Sequence, residues 1–190
     1  MAKQFPSIQP THREFLLKQH IFFNASAAQD GRVNVSPRDV ASLRVLDERT
    51  VVYLDQTGSG NETAAHLRAN GRLTLMFCAF DGPPMILRLY GKGRIIPRGM
   101  LEYLTLLASA FSDTESSGAR QMVMLDVDLV QTSCGYGVPF FDYVGERTTL
   151  TRWAEAKGED GLDAYRRLKN TRSIDGLPTG LFDQGGDRSV

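Results

Sequence analysis

The residues best arranged for chemistry lie in Tyr53-Leu54-Asp55-Gln56-Thr57-Gly58-Ser59-Gly60-Asn61-Glu62-Thr63, which reads as a strand end, a glycine-rich turn and the start of a short helix. Backbone N–H groups at a helix start have no partner within the helix, and the aligned peptide dipoles add partial positive charge. Glycines let an anion approach that backbone closely. Thr57, Ser59, Asn61 and Thr63 add side-chain donors. The same letters also describe an ordinary helix capped by Ser59 or Asn61 behind a Gly58/Gly60 turn. Two sharper phosphate motifs are absent. A P-loop ends in Gly-Lys-Ser/Thr, whereas Gly60 is followed by Asn61, and a dinucleotide fingerprint needs a third small residue where Thr63 stands.

A second candidate is Ser36-Pro37-Arg38-Asp39, which places a hydroxyl and a guanidinium beside a rigid turn. They could hold a phosphate, or Ser36 could stabilise the turn while Arg38 pairs with Asp39. His66 falls on the short helix without an identifiable carboxylate, cysteine or serine partner, so it reads as a packing histidine. Cys78 and Cys134 are far apart and lack ligand-spaced neighbours, which excludes a zinc knuckle and leads us to expect two buried free thiols and no metal. No Gly-x-Ser-x-Gly elbow occurs, so a serine hydrolase is a poor reading.

These groups need a scaffold, and 190 residues are enough for one core. Lys+Arg and Asp+Glu balance at 22 each, so no global field draws the chain to nucleic acid or to an anionic membrane. No apolar run approaches the roughly 20 residues of a membrane span, and Lys3 is followed by polar and charged residues. A cytoplasmic protein is the expectation.

Thr11 to His20 reads as a short helix, Ile21 to Ala27 and Val33 to Ser36 as a hairpin through an Asp-Gly turn, and Thr50 to Leu54 as a third strand. Arg72 to Phe80 is apolar on both faces, and the strand after it, from Met85 to Ile95, contains Gly91 and Gly93 as a strongly coiled barrel strand would. Arg98 to Phe111 has helical spacing, and Arg120 to Gln131 alternates as a strand. That makes about six strands. Ser133 to Phe141 is aromatic, glycine-rich and too apolar for a free loop. Two helical stretches follow, about Arg147 to Ala156 and Glu159 to Lys169. The expectation is one mainly β domain with helices (α+β), with a core over 21–142, a helical extension over 147–172 and a mobile tail over 173–190.

Four motifs in this order resemble the pyridoxamine 5′-phosphate oxidase-like family of FMN-binding split barrels: Val33-Asn34-Val35-Ser36-Pro37-Arg38, Tyr53 to His66, Leu75 to Leu89, and Ser133-Cys134-Gly135-Tyr136-Gly137-Val138-Pro139. The resemblance runs from about Ile21 to Asp142 and is closest to an uncharacterised branch. It implies a six-stranded split β-barrel that binds FMN at a homodimer interface. Ser36, Arg38, Ser59 and Asn61 would hold the phosphate. The backbone of Leu54 and Asp55 would lie along the ring system, with Thr57 nearby, and Tyr136, Gly137, Val138 and Pro139 would come from the partner subunit.

Two departures limit what carries over. The true oxidase has Ser-Arg-Lys where this chain has Ser59-Gly60-Asn61, so two phosphate-binding cations are missing. The carboxy-terminal Trp-x-Pro-x-Arg-Leu pattern is not matched by Trp153-Ala154-Glu155-Ala156, so vitamin B6 oxidation does not carry over. The resulting expectation is an FMN-dependent oxidoreductase acting on an unknown small molecule, with no catalytic residue assigned. A non-catalytic flavin- or haem-binding protein is the alternative, and a deazaflavin could replace FMN.

Overall fold

The computed structural model describes residues 2–183. Eight strands form one antiparallel sheet: β1 (Lys3–Phe5), β2 (Ile21–Ser26), β3 (Asn34–Asp39), β4 (Leu43–Val45), β5 (Thr50–Gln56), β6 (Arg72–Cys78), β7 (Ile86–Pro97) and β8 (Ala119–Ser133). Their order is β3-β2-β6-β7-β8-β5-β4, with β1 added to the far part of β8. The sheet curls into a half-barrel, the split-barrel architecture expected from the sequence. Four α-helices complete it: α1 (Pro10–Lys18), α2 (Glu62–Asn70), α3 (Leu101–Phe111) and α4 (Thr149–Lys169), the last broken at Gly158, whose φ of 63° is not helical.

Strands β5 and β8 are apolar on both faces because each face covers a different core. Tyr53, Val123 and Leu125 point into the barrel with Phe22, Leu75, Phe77, Leu87 and Leu89. Val52, Leu54, Met122 and Met124 point outward, under Tyr103 and Phe111 of α3. Period-two alternation therefore builds two hydrophobic layers from one strand pair.

The long β7–β8 pair is bent by a register shift between Tyr90 and Gly91. A Cβ at Gly91 would lie 1.9 Å from the Asp126 carbonyl oxygen, so only glycine lets the two backbones cross this closely.

Several expectations change. Eight strands replace six because β1 and β4, three residues each, carry no period of their own and exist by pairing with β8 and β5. Ser36-Pro37-Arg38-Asp39, expected beside a rigid turn, is paired strand up to the end of β3. Pro37 sits within β3 opposite Phe23, at the sheet edge, where a missing N–H costs no ladder bond. Cys78 is buried, but Cys134 is exposed just beyond the end of β8. Residues 173–183, expected to be mobile, pack against α2 and the β2–β3 turn: Asp175 bonds Arg32, Glu62 accepts the Ile174 N–H, and Asp183 pairs with Arg68 at 2.5 Å. Residues 184–190 of that expected tail lie outside the described residues.

Candidate anion-binding site

Ser36 and Arg38 are on β3, and Ser59 and Asn61 are in the turn between β5 and α2. The fold brings all four to one cavity of about 660 Å³, walled by the start of α2 and also by Arg32, Arg120, Lys169 and Arg172. Glu62 is the acidic residue on that wall. Cations from four separate segments thus converge on a helix N-terminus, an arrangement suited to an anion.

Asp55 lies behind this wall and is 1% exposed. Its Oδ2 accepts from Arg120 Nε and Gln121 Nε2, each at 2.8 Å. Arg38 Nη2 stands 3.0 Å from Oδ1 as an ion pair, off the line of a hydrogen bond. Burial alone would raise the Asp55 pKa, but the guanidiniums of Arg120 and Arg38, with the two hydrogen bonds, outweigh it and hold the carboxyl below its usual range. Burial raises the Tyr53 phenol, which is fully enclosed beneath Arg38.

The network extends outward from this carboxylate. Arg38 Nε donates to Asn24 Oδ1 at 3.3 Å, and Asn24 Nδ2 donates to Thr63 at 2.7 Å. Arg120 Nη1 donates to the Gly60 carbonyl at 2.9 Å and to Asn170 Oδ1 at 3.0 Å. Asn61 is 2% exposed, its Oδ1 accepting from Gln121 at 2.9 Å, and it does not cap α2 with its side chain. Thr57 donates to the Gly118 carbonyl and accepts from Arg166 Nε, both at 2.8 Å. Asp55 and Thr57 therefore hold the turn in place from behind, while Ser36, Arg38 and Ser59 line the cavity and Asn61 borders it with its side-chain polar atoms turned to Gln121 and the Asn170 carbonyl.

Leu54 lines a different cavity, of about 1020 Å³, with Pro37, Gln56, Phe80, Phe141 and Tyr143. Arg38 borders both cavities, so an elongated molecule with an anionic end and a flat apolar body could span them. His20 stacks flat on Tyr143 at its edge, with ring centroids 3.6 Å apart. Tyr136, Gly137, Val138 and Pro139 line neither cavity and lie beyond the opposite end of β8 from Gln121.

Sequence reasoning missed Arg120, Gln121, Asn170, Lys169 and Arg172. Arg120 and Gln121 stand near the start of β8, just before its apolar run Met122 to Leu125, a local oddity that could have flagged them, but their partner Asp55 is 65 residues from Arg120. His66 does have a serine neighbour, with Ser26 Oγ 3.1 Å from its Nδ1, but both side chains are buried, so the pair offers no reachable nucleophile. No group of three or more His, Cys, Asp or Glu among the described residues could hold a metal, and no described helix is long and apolar enough to cross a membrane.

The sequence profile of a family described as pyridoxamine 5′-phosphate oxidase matches residues 8–134. A curated relative from Aspergillus flavus, the pyridoxamine 5′-phosphate oxidase family protein ustO, is 38% identical over 190 residues, covering 92% of this chain and 76% of the relative. Among solved structures, a HupZ variant from Group A Streptococcus superposes with a TM-score of 0.54 at 18% identity, over 66% of this chain and 99% of that one. A structure described as a putative pyridoxamine 5′-phosphate oxidase from Lactobacillus delbrueckii gives 0.52 at 20% identity, over 66% and 94%. The two structures support the half-barrel fold, and the profile and the relative support the lineage: the chain belongs to the pyridoxamine 5′-phosphate oxidase family.

Proposed function

We propose that the chain is an FMN-binding flavoprotein, an oxidoreductase acting on a small molecule, working as a homodimer with flavin sites at the interface. The observation that carries this reading is the convergence of Ser36, Arg38, Ser59 and Asn61 on one cationic cavity beside a helix N-terminus. The residues fit the group. A phosphate would meet arginine, lysine and hydroxyl donors, and the adjoining cavity offers Leu54, Phe80 and Phe141 to a flat ring. Bound flavin would supply the redox chemistry. The protein's own task is then to anchor the phosphate and orient the ring.

The test is a pair of titrations followed by flavin fluorescence. FMN is expected to bind more tightly than riboflavin, which lacks the phosphate, by on the order of 10–100-fold if one or two charge-assisted contacts are involved. Reduction of the bound flavin by NAD(P)H, seen as bleaching of its visible band, would favour an enzyme over a flavin carrier. A Soret band in the purified protein would point to haem instead, and equal affinities for FMN and riboflavin would remove the phosphate from the cationic cavity.

Asn61→Asp should weaken FMN binding more than Asn61→Ala, with a loss of about 1–3 kcal/mol. The new carboxylate would repel the phosphate, and would also share the Gln121 amide with Asp55. Titration of both variants checks the order, and unchanged affinities in both would mean that the phosphate lies elsewhere.

A further inference from the structure

We propose that Lys169 and Arg172, at the end of α4 and in the strap behind it, supply the positive charge that holds the phosphate, replacing the two cations missing from the Ser59-Gly60-Asn61 loop. This rests on the flavin reading above. Arg38 and Arg120 share Asp55, Arg32 is bonded to Asp175, and Glu62, the carboxylate on the wall itself, makes no ion pair among the described residues, so three carboxylates stand beside five cations. Lys169 and Arg172 are the remaining cations on the wall. Their two positive charges match the roughly −1.5 to −2 that a phosphate monoester carries near neutral pH.

Neither cation is spent elsewhere. Lys169 makes no ion pair or hydrogen bond among the described residues, and Arg172 uses only Nη1, donating to the Gly176 carbonyl at 2.8 Å. The backbone that presents them is fixed on both sides. Between them, Asn170 is fully buried. Its Oδ1 accepts from Arg120 at 3.0 Å, its Nδ2 donates to the Gly58 carbonyl at 3.0 Å, and its own carbonyl accepts the Thr179 hydroxyl at 2.7 Å. The end of α4 is thereby fastened to the glycine turn that would cradle the phosphate. Beyond Arg172, the Glu62 carboxylate accepts the Ile174 N–H at 3.0 Å and Asp175 bonds Arg32. Both cations come from the extension outside residues 8–134, so the substitution of charge is made by a part of the chain outside the family-matched core.

Cations in a last turn also favour the negative end of a helix, and that role alone would lower stability without distinguishing ligands. FMN and riboflavin are therefore titrated into the full-length protein and into Lys169→Gln, Arg172→Gln, the double variant and Arg38→Gln, with thermal melts recorded without flavin. Each single change at Lys169 or Arg172 is expected to weaken FMN on the order of tenfold and the double change on the order of a hundredfold, with riboflavin affinity and the flavin-free melt unchanged. Full FMN affinity in the double variant, with loss in Arg38→Gln, overturns this inference and leaves the flavin reading standing. Equal losses for FMN and riboflavin with a lowered melt assign the two residues to structure and also overturn it. A wild-type chain that binds neither flavin overturns the flavin reading and this inference with it.

Discussion

Asp55→Ala is expected to lower folding stability by about 3–5 kcal/mol, because it leaves the buried Arg120 and the largely enclosed Arg38 without their counter-charge. Removing one member of a buried pair costs far more than the pair's net contribution, since the remaining charges keep their desolvation penalty and lose their partner. Asp55→Asn should fall short of wild type by less, as its amide oxygen can still accept from Arg120 and Gln121. Denaturant melts of the three proteins at neutral pH test the ranking. A loss below about 1 kcal/mol in the alanine variant would mean that the guanidiniums find water or other acceptors. The pH dependence has a definite sign. The folded-state pKa of Asp55 lies below the ordinary value of 3.8, so its stabilisation is fully present above that value and is lost as pH falls through the lower folded-state pKa. The gap between wild type and Asp55→Asn should accordingly persist from neutral pH to about pH 4 and close only in stronger acid.

The scaffold of this network was readable from the sequence where a local pattern carried it. Alternation marked β8, the Asp-Gly turn marked the β2–β3 hairpin, and the two helical stretches expected over 147–156 and 159–169 fall on either side of Gly158, whose φ of 63° breaks α4. The resemblance to the family supplied Ser36, Arg38, Ser59 and Asn61 as a set, and the fold brings these four to one cavity. What stayed hidden was long-range. Nothing near Arg120 in the chain announces that it will meet Asp55 and Asn170, and nothing near Lys169 announces a cavity built from β3 and the glycine turn. The tail misled for the same reason. Its glycines and aspartates look unstructured, but Asp175 and Asp183 find Arg32 and Arg68, 143 and 115 positions earlier in the chain. Local composition reports propensity, whereas those ion pairs depend on where the sheet has placed their partners.

Dilution of the flavin-loaded protein should release FMN as the dimer dissociates, and Tyr136→Ala should promote both events. The reason lies in the segment after β8. Tyr136 is 82% exposed, Phe140 80% and Val144 98%, with Phe141 and Tyr143 also exposed beside them. Apolar side chains clustered in one segment lower the free energy of a chain when another surface covers them, and a stable two-fold contact needs about 1,200–2,000 Å² in total. Tyr136 to Pro139 line neither the cationic cavity nor its neighbour, although Phe141 just after them does line the neighbour, so within a single chain the four leave those walls to other residues. A second copy related by a two-fold axis could bring its own Tyr136 to Pro139 against that ring, and two equivalent sites would follow from the symmetry. Because FMN would then bind the assembled state and not the separate chains, added FMN should shift the dimer equilibrium toward association, and the shift should grow with its free concentration. Light scattering and flavin fluorescence measured on one dilution series follow the two processes together. Coincident midpoints, both displaced to higher protein concentration by Tyr136→Ala, are the expected result, while a monomer that keeps FMN at full occupancy would exclude a site shared between chains.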